Sequence, residues 1–180
     1  RGGTVKLSAK TVSIPLADST VNPETFVPIF HDWIRRGAVE GMLIDVARYG
    51  HVHQGPGVML IGHEGDYSID LADGRPELRY TLKRDNDGTP AELVTRALGR
   101  LLGAADALGQ ADVAVGRGEL TVRVFDRLRA PNTPDTAEAL TGEITTGIQD
   151  VLGVQGEVAV VSDDSREPFA LRFGSAIGLA

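Results

Sequence analysis

Three of the chain's four histidines fall between Gly41 and Leu71, GMLIDVARYGHVHQGPGVMLIGHEGDYSIDL, beside several acids and a phenol. Imidazole and carboxylate together suit zinc, iron or nickel, so His51, His53 and Glu64 are the candidate ligands of a divalent metal. The same residues could run a hydrolytic reaction. His51 would be general base or ligand, Glu64 acid, base or ligand, and Asp45 would orient one of them. Tyr49 would donate a hydrogen bond to an anionic or carbonyl group.

Positioning these groups falls to a hairpin. Gly55-Pro56-Gly57 separates two apolar runs, which predicts antiparallel arms over 42–53 and 58–64 with a loop at Gln54–Gly57. Setting His53 opposite Val58 places His51 across from Leu60, Tyr49 from Gly62, Ala47 from Glu64 and Asp45 from Asp66. Alternation then puts Asp45, Ala47, Tyr49, His51 and His53 on one face with Leu60, Glu64 and Asp66. Met42, Ile44, Val46, Val52, Met59 and Ile61 form the other, which is expected to be buried. Directly opposed Cβ atoms lie about 5 Å apart, so Asp45, Glu64 and Asp66 would crowd. Such crowding calls for a shared proton, or for a cation or basic side chain among them.

The metal geometry is stretched. His63 falls on the core face in this register, roughly 10 Å along the strand from the residue facing His51, and His53 is about 20 Å from Glu64, at about 3.3 Å per residue. One tetrahedral site using all four would need a bulge, a one-residue slip, or ligands from a second chain.

The flanking elements read as follows. A strand near 4–16 ends at Pro15, which suggests an edge. Phe26, Ile29, Phe30 and Trp33 form one apolar helical stripe ending at Gly37, with His31 off it at the surface. After the hairpin, DYSIDL and PELRYTLKR are strands joined through Ala72-Asp73-Gly74. Thr89-Pro90-Ala91-Glu92 is a capping box opening a helix whose buried stripe is Leu93, Val94, Ala97, Leu98, Leu101, Leu102, Ala105 and Leu108. Gly99 and Gly103 lie on another face of it, where a second backbone could approach closely. A strand at 119–126 and a helix over 134–152, with Leu140, Ile144, Ile148 and Val151 inward, come next. The chain closes on a hairpin, EVAVVSD and PFALRFG, turning at Asp163–Arg166.

An internal echo runs through the second half. Leu78-Arg79, Thr89-Pro90, Gly103 and Leu108-Gly109 recur forty-four residues on as Val122-Arg123, Thr133-Pro134, Gly147 and Leu152-Gly153. Two copies do not make a solenoid, and shared strand-cap-helix grammar explains the echo equally well.

Composition bounds the rest. The 180 residues are expected to form a single domain, 1–180, with a substantial core. A net charge of −7 argues against a nucleic-acid partner, and five Phe, three Tyr and one Trp leave few stacking platforms. Without cysteine there is no disulfide, thiol nucleophile or cysteine-ligated metal centre, which fits a cytoplasmic protein. No apolar run reaches the roughly 20 residues that span a bilayer, so no membrane partner is expected. The chain starts at Arg1 rather than Met, so any leader could have been removed beforehand. Arginine outnumbers lysine 15 to 3, as in proteins of GC-rich bacteria.

Motif searches return no Gly-x-Gly-x-x-Gly after a strand, no Gly-Lys-Ser/Thr phosphate loop and no Gly-x-Ser-x-Gly elbow. His63-Glu64 lacks the second histidine of a zinc-protease helix, and RDNDGT fails the twelve-residue calcium-loop spacing to Glu92. The element order predicts an α+β fold, a mixed, mainly antiparallel sheet with about three helices on one face. A ferredoxin-like core with an added βα unit would satisfy it. Its second sheet face is left for a ligand, loops or another subunit. Two functions fit: a small-ligand or metal site on the central hairpin, hydrolytic in one version, or a non-catalytic subunit that assembles with itself, most simply as a dimer.

Overall fold

The computed structural model describes residues 10–49, 57–83, 87–116, 118–126 and 128–174. Eight strands form one sheet: β1 Lys10–Pro15, β2 Leu43–Arg48, β3 Val58–Gly62, β4 Gly65–Ala72, β5 Arg75–Leu82, β6 Glu119–Val124, β7 Glu157–Val160 and β8 Phe169–Gly174. Their spatial order is β2-β3-β4-β5-β1-β6-β8-β7. Every neighbouring pair is antiparallel, so the described sheet is antiparallel throughout rather than mixed. The helices are α1 Val27–Arg36, α2 Pro90–Gln110 and α3 Pro134–Leu152, making the fold α+β. No helix among the described residues is long and apolar enough to cross a membrane.

Strand registers sort the side chains onto two unlike faces. Leu60, Tyr67, Tyr80, Val12, Val122 and Leu171 are linked across successive strands, and their neighbours two residues away, such as Ile69, Leu78, Ile14 and Phe173, share their side. These residues are buried in one cluster with the inward stripes of all three helices. Period-2 alternation in the strands thus meets period-3.6 stripes in the helices. An aromatic run ties α1 to the sheet, from Phe30 to Trp33, Tyr67 and Tyr80, with ring centroids 5.2, 6.4 and 4.8 Å apart.

Local signals set most boundaries. Gly37 ends α1 and Gly153 ends α3 in the left-handed conformation, at φ 62° and 67°. The Thr89–Glu92 capping box is formed in full. Asp73 and Gly74, both at positive φ, make the β4–β5 turn, as a two-residue I′ connection requires. The β7–β8 hairpin forms as expected, with Val160 opposite Leu171.

The central hairpin departs from expectation. Arg48 lies opposite Val58 rather than His63, a shift of five residues, and the Tyr49 amide donates to the Gly57 carbonyl. An odd shift exchanges the faces of one arm relative to the other. Val58 and Leu60 are therefore buried, whereas Met59 and Ile61 turn to the opposite side and are only half-buried. A bulge between Leu43 and Asp45 makes Ile44 the extra residue. Leu43 and Val46 lean on the core while Ile44 is 59% exposed and Met42 67%. The Gly-Pro-Gly signal falls between the two strands, but residues 50–56, which include the expected loop, lie outside the described residues.

Two further expectations change. β1 is central, between β5 and β6, and Pro15 is tolerated because the β6 ladder has already stopped at Ser13 opposite Thr121. Gly99 and Gly103 are exposed, with open space where a Cβ would stand. The close helix approach is at the echo of Gly103, Gly147 of α3, where a Cβ would meet the Ala91 carbonyl of α2 at 2.6 Å.

The echo itself has a structural counterpart. β5 and α2 begin at Arg75 and Pro90, and β6 and α3 begin at Glu119 and Pro134, forty-four residues later in both cases. Each unit crosses to a strand two places along the sheet. β1 fills the gap between β5 and β6, and β8 the gap between β6 and β7.

Candidate functional site on the open sheet face

Alternate residues of the strands point away from the helices, and there the sequence places charge. β4 contributes Asp66, Ser68 and Asp70, β5 contributes Glu77, Arg79 and Thr81, and β1 contributes Thr11 and Ser13. β6 adds Glu119, Thr121 and Arg123, and β8 adds Arg172. Register brings these into rows. Asp70 stands opposite Glu77, and Ser68, Arg79, Ser13, Thr121 and Arg172 follow one another across five strands.

Asp70 and Glu77 are acids on directly opposed positions, which alone would repel. Arg79 lies between them, with Nη1 2.9 Å from Asp70 Oδ2 and Nη2 donating to Glu77 Oε1 at 2.5 Å. Arg123 reaches diagonally from β6, 3.5 Å from the same Glu77 oxygen, and donates to Ser13 Oγ at 3.0 Å. The result is an Asp–Arg–Glu–Arg chain across β4, β5 and β6. Its members are held by rotamer packing as well as by charge, since Asp70 is only 8% and Glu77 7% exposed.

Burial leaves its mark on the electrostatics. It pushes the Asp70 carboxyl above its ordinary value, against the pull of Arg79, and it draws the Arg123 guanidinium below its own. Among the described residues two buried polar atoms, Asp70 Oδ1 and Arg79 Nε, have no hydrogen-bond partner. Unsatisfied buried groups are uncommon in native structures and concentrate where something other than stability is being served.

Beside the chain is a hollow of about 190 Å³. Arg75, Arg123 and Arg172 line it from three different strands, with Asp73, Glu77 and Glu119 interspersed. Arg172 is held 3.0 Å from Glu119. Arg75 is exposed and makes no ion pair among the described residues. Within the described residues the hollow thus presents the Arg75 guanidinium uncommitted, beside the restrained Arg123 and Arg172. Ser13, whose hydroxyl accepts from Arg123, has a cation at hand rather than a base.

The residues singled out on the hairpin are dispersed. His51 and His53 lie outside the described residues. Asp45 is exposed on the open face opposite Ile61, and its carboxylate accepts from the Val46 amide at 2.8 Å. Tyr49 is beside Gly57, roughly 17 Å at about 3.3 Å per residue from Gly62 at the far end of β3, beyond which Glu64 lies. Glu64 is in the β3–β4 turn and binds Arg100 of α2 at 2.7 Å, with Glu40 on the same guanidinium at 3.4 Å. Asp66 pairs with Lys83 at 2.8 Å. A basic side chain therefore does neutralise each of these two acids, separately. His31 and His63 are exposed. Among the described residues no three histidine, aspartate or glutamate side chains are grouped as metal ligands.

The Asp70–Arg79–Glu77–Arg123 chain was overlooked in the sequence although a signal existed. Arg79 and Arg123 are the charged members of the echoed pairs Leu78-Arg79 and Val122-Arg123. In a strand, each pair puts one residue in the core and its neighbour on the far face. No protein-family model matches the chain, and no curated protein matches it.

Proposed function

We propose that this protein binds a small carboxylate-bearing molecule, with an ammonium or other donor group of its own, in the hollow on the open sheet face. The observation that carries this reading is Arg75, a guanidinium without an ion pair among the described residues, in a hollow that Arg123 and Arg172 also line. A planar fork of donors takes a carboxylate in bidentate fashion. Asp73, Glu77 and Glu119 would receive the ligand's donor group, which favours a zwitterion over a dianion. The volume is well below the roughly 300 to 1,000 Å³ of sites for drug-sized ligands, so the occupant is of amino-acid size. Binding rather than catalysis is favoured because Ser13, one of the two hydroxyls that line the hollow with Thr121, is tied to a cation.

The hairpin reading, a divalent metal or hydrolytic centre on His51, His53 and Glu64 with Asp45 and Tyr49, has less support, because Glu64 is engaged by Arg100 and Tyr49 is distant from it. The order β1-β6-β8-β7, with β6-α3-β7 enclosing β8, lends partial support to a ferredoxin-like unit as the frame of the site.

Calorimetry with glutamate, aspartate and succinate tests the proposal. Glutamate or aspartate should bind, succinate should bind less tightly, and Arg75→Ala should weaken binding at least tenfold without changing the melting temperature, since Arg75 is exposed. If none of the three binds at millimolar concentration, or if Arg75→Ala binds as the wild type does, the site is misassigned.

A further inference from the structure

The two outer strands of the sheet are treated very differently. An outer strand offers a row of unpaired amides and carbonyls to any other chain, and proteins usually blunt it with bulges or charge. β2 has both devices: the bulge at Ile44, and Asp45, whose carboxylate occupies the Val46 amide. β7 has neither. Its sequence from Glu157 to Val161 is Glu-Val-Ala-Val-Val, without proline or lysine, and Val160 and Val161 are 43% and 38% exposed.

The hydrogen-bonding phase of β7 follows from one contact. The Val161 amide donates to the Ala170 carbonyl of β8 at 3.0 Å. In an antiparallel ladder, residues bonding one neighbour alternate with residues whose groups point the other way. Glu157, Ala159 and Val161 therefore bond inward, and Val158 and Val160 present their amides and carbonyls at the edge that no described strand covers.

We propose that β7 pairs antiparallel with β7 of a second copy about a two-fold axis through Ala159. In that register Val158 of each chain faces Val160 of the other, so all four outward amides and all four outward carbonyls find partners. Val158 and Val160 lie on the helix-covered side, and the four valines extend the apolar face across the junction. On the open side Ala159 meets its own copy, where a small residue suits the axis. Glu157 faces Val161, so no like charges meet. Centring instead on Val158 or Val160 would pair only one valine per chain with another valine. An isologous contact of this kind closes on itself as a dimer and joins the two sheets into one.

The chain has no cysteine, which allows a direct test of register. A residue opposing its own copy in a non-bonded antiparallel pair has its Cα about 4.5 Å from it, within the range a disulfide bridges. Ala159→Cys should therefore oxidise rapidly to a covalent dimer at micromolar concentration, and Val161→Cys should not. Val160→Pro removes an outward amide without touching the β8 ladder. In sedimentation it should raise the dimer dissociation constant at least tenfold. A wild-type protein that sediments as a monomer at tens of micromolar, or an Ala159→Cys variant that cross-links no faster than Val161→Cys, overturns the proposal. So does a dimer that survives Val160→Pro unchanged. If Val160→Pro does not fold, the cysteine comparison alone decides.

Discussion

Leu78 and Arg79 are adjacent in β5 and belong to different economies of stabilisation. Leu78 is fully buried under the helices and is held by apolar area removed from water. Arg79, on the other side, is held by Asp70 and Glu77, and it holds them in turn. A packed apolar residue loses its own contribution when removed. A member of a buried ionic chain, when removed, also leaves its partners charged and unpaired.

That contrast predicts the largest effects. Arg79→Met should cost about 3 to 5 kcal/mol, the range for breaking a buried pair, and Leu78→Ala about 2 to 5 kcal/mol. Rescue distinguishes them in urea unfolding. Adding Glu77→Gln and Asp70→Asn to Arg79→Met should recover much of the loss, and the same two substitutions should leave the Leu78→Ala deficit in place. If the loss at Arg79 is not rescued, the open face is held by packing and the contrast fails.

The echoed glycines sharpen the same point within the helical layer. Gly147→Ala should destabilise by about 1 to 3 kcal/mol, as overpacking does, because its Cβ would strike the Ala91 carbonyl. Gly103→Ala, at the equivalent position of α2 and open to solvent, should stabilise by up to about 1 kcal/mol. Equal effects in thermal unfolding would mean that the α2–α3 contact is not where the backbones meet.

Two pH effects of opposite sign, one from each face, sharpen the contrast further. Lys10 is buried on the helix side, and burial lowers its ammonium from 10.5 to about 8, with Asp126 opposing and Arg96 assisting. The unfolded chain binds more protons there, so this group's contribution to stability is full above 10.5 and is lost as pH falls through about 8. Lys10→Met should flatten the rise in stability between those values. Asp70, on the open face, has its carboxyl raised above 3.8 by burial, so its contribution is full below 3.8 and is lost as pH rises through the folded-state value. Asp70→Asn should remove that decline. Unfolding midpoints measured against pH, wild type beside variant, check both slopes.

Much of the fold was legible because local chemistry fixed it. The Thr89–Glu92 box, the Asp73-Gly74 turn, the glycine after α1 and the apolar stripes of three helices each act within a few residues and are where they were expected, except that α2 buries Ala104 and Ala107 whereas Leu102 and Ala105 are only partly buried. What failed depended on partners far along the chain. The hairpin register could be read only by assuming a four-residue loop, and a five-residue error reversed Val58 and Leu60 with Met59 and Ile61. β1 was assigned to an edge from Pro15 alone, whereas its place between β5 and β6 is set by pairings seventy and more than a hundred residues away. The site suffered from the same blindness. Histidines draw attention one at a time, but Asp70, Glu77, Arg79 and Arg123 become a group only once β4, β5, β1 and β6 lie side by side.

The most direct test of the open face as a binding surface is a titration of isotope-labelled protein with glutamate, followed by amide chemical-shift mapping. Saturable shifts should gather at Ser13, Arg75, Glu77, Thr121, Arg123 and Arg172, with the helix-side strand residues and the β3–β4 turn little changed. Saturable shifts centred on His63 and Glu64, or none at any concentration, would contradict the account.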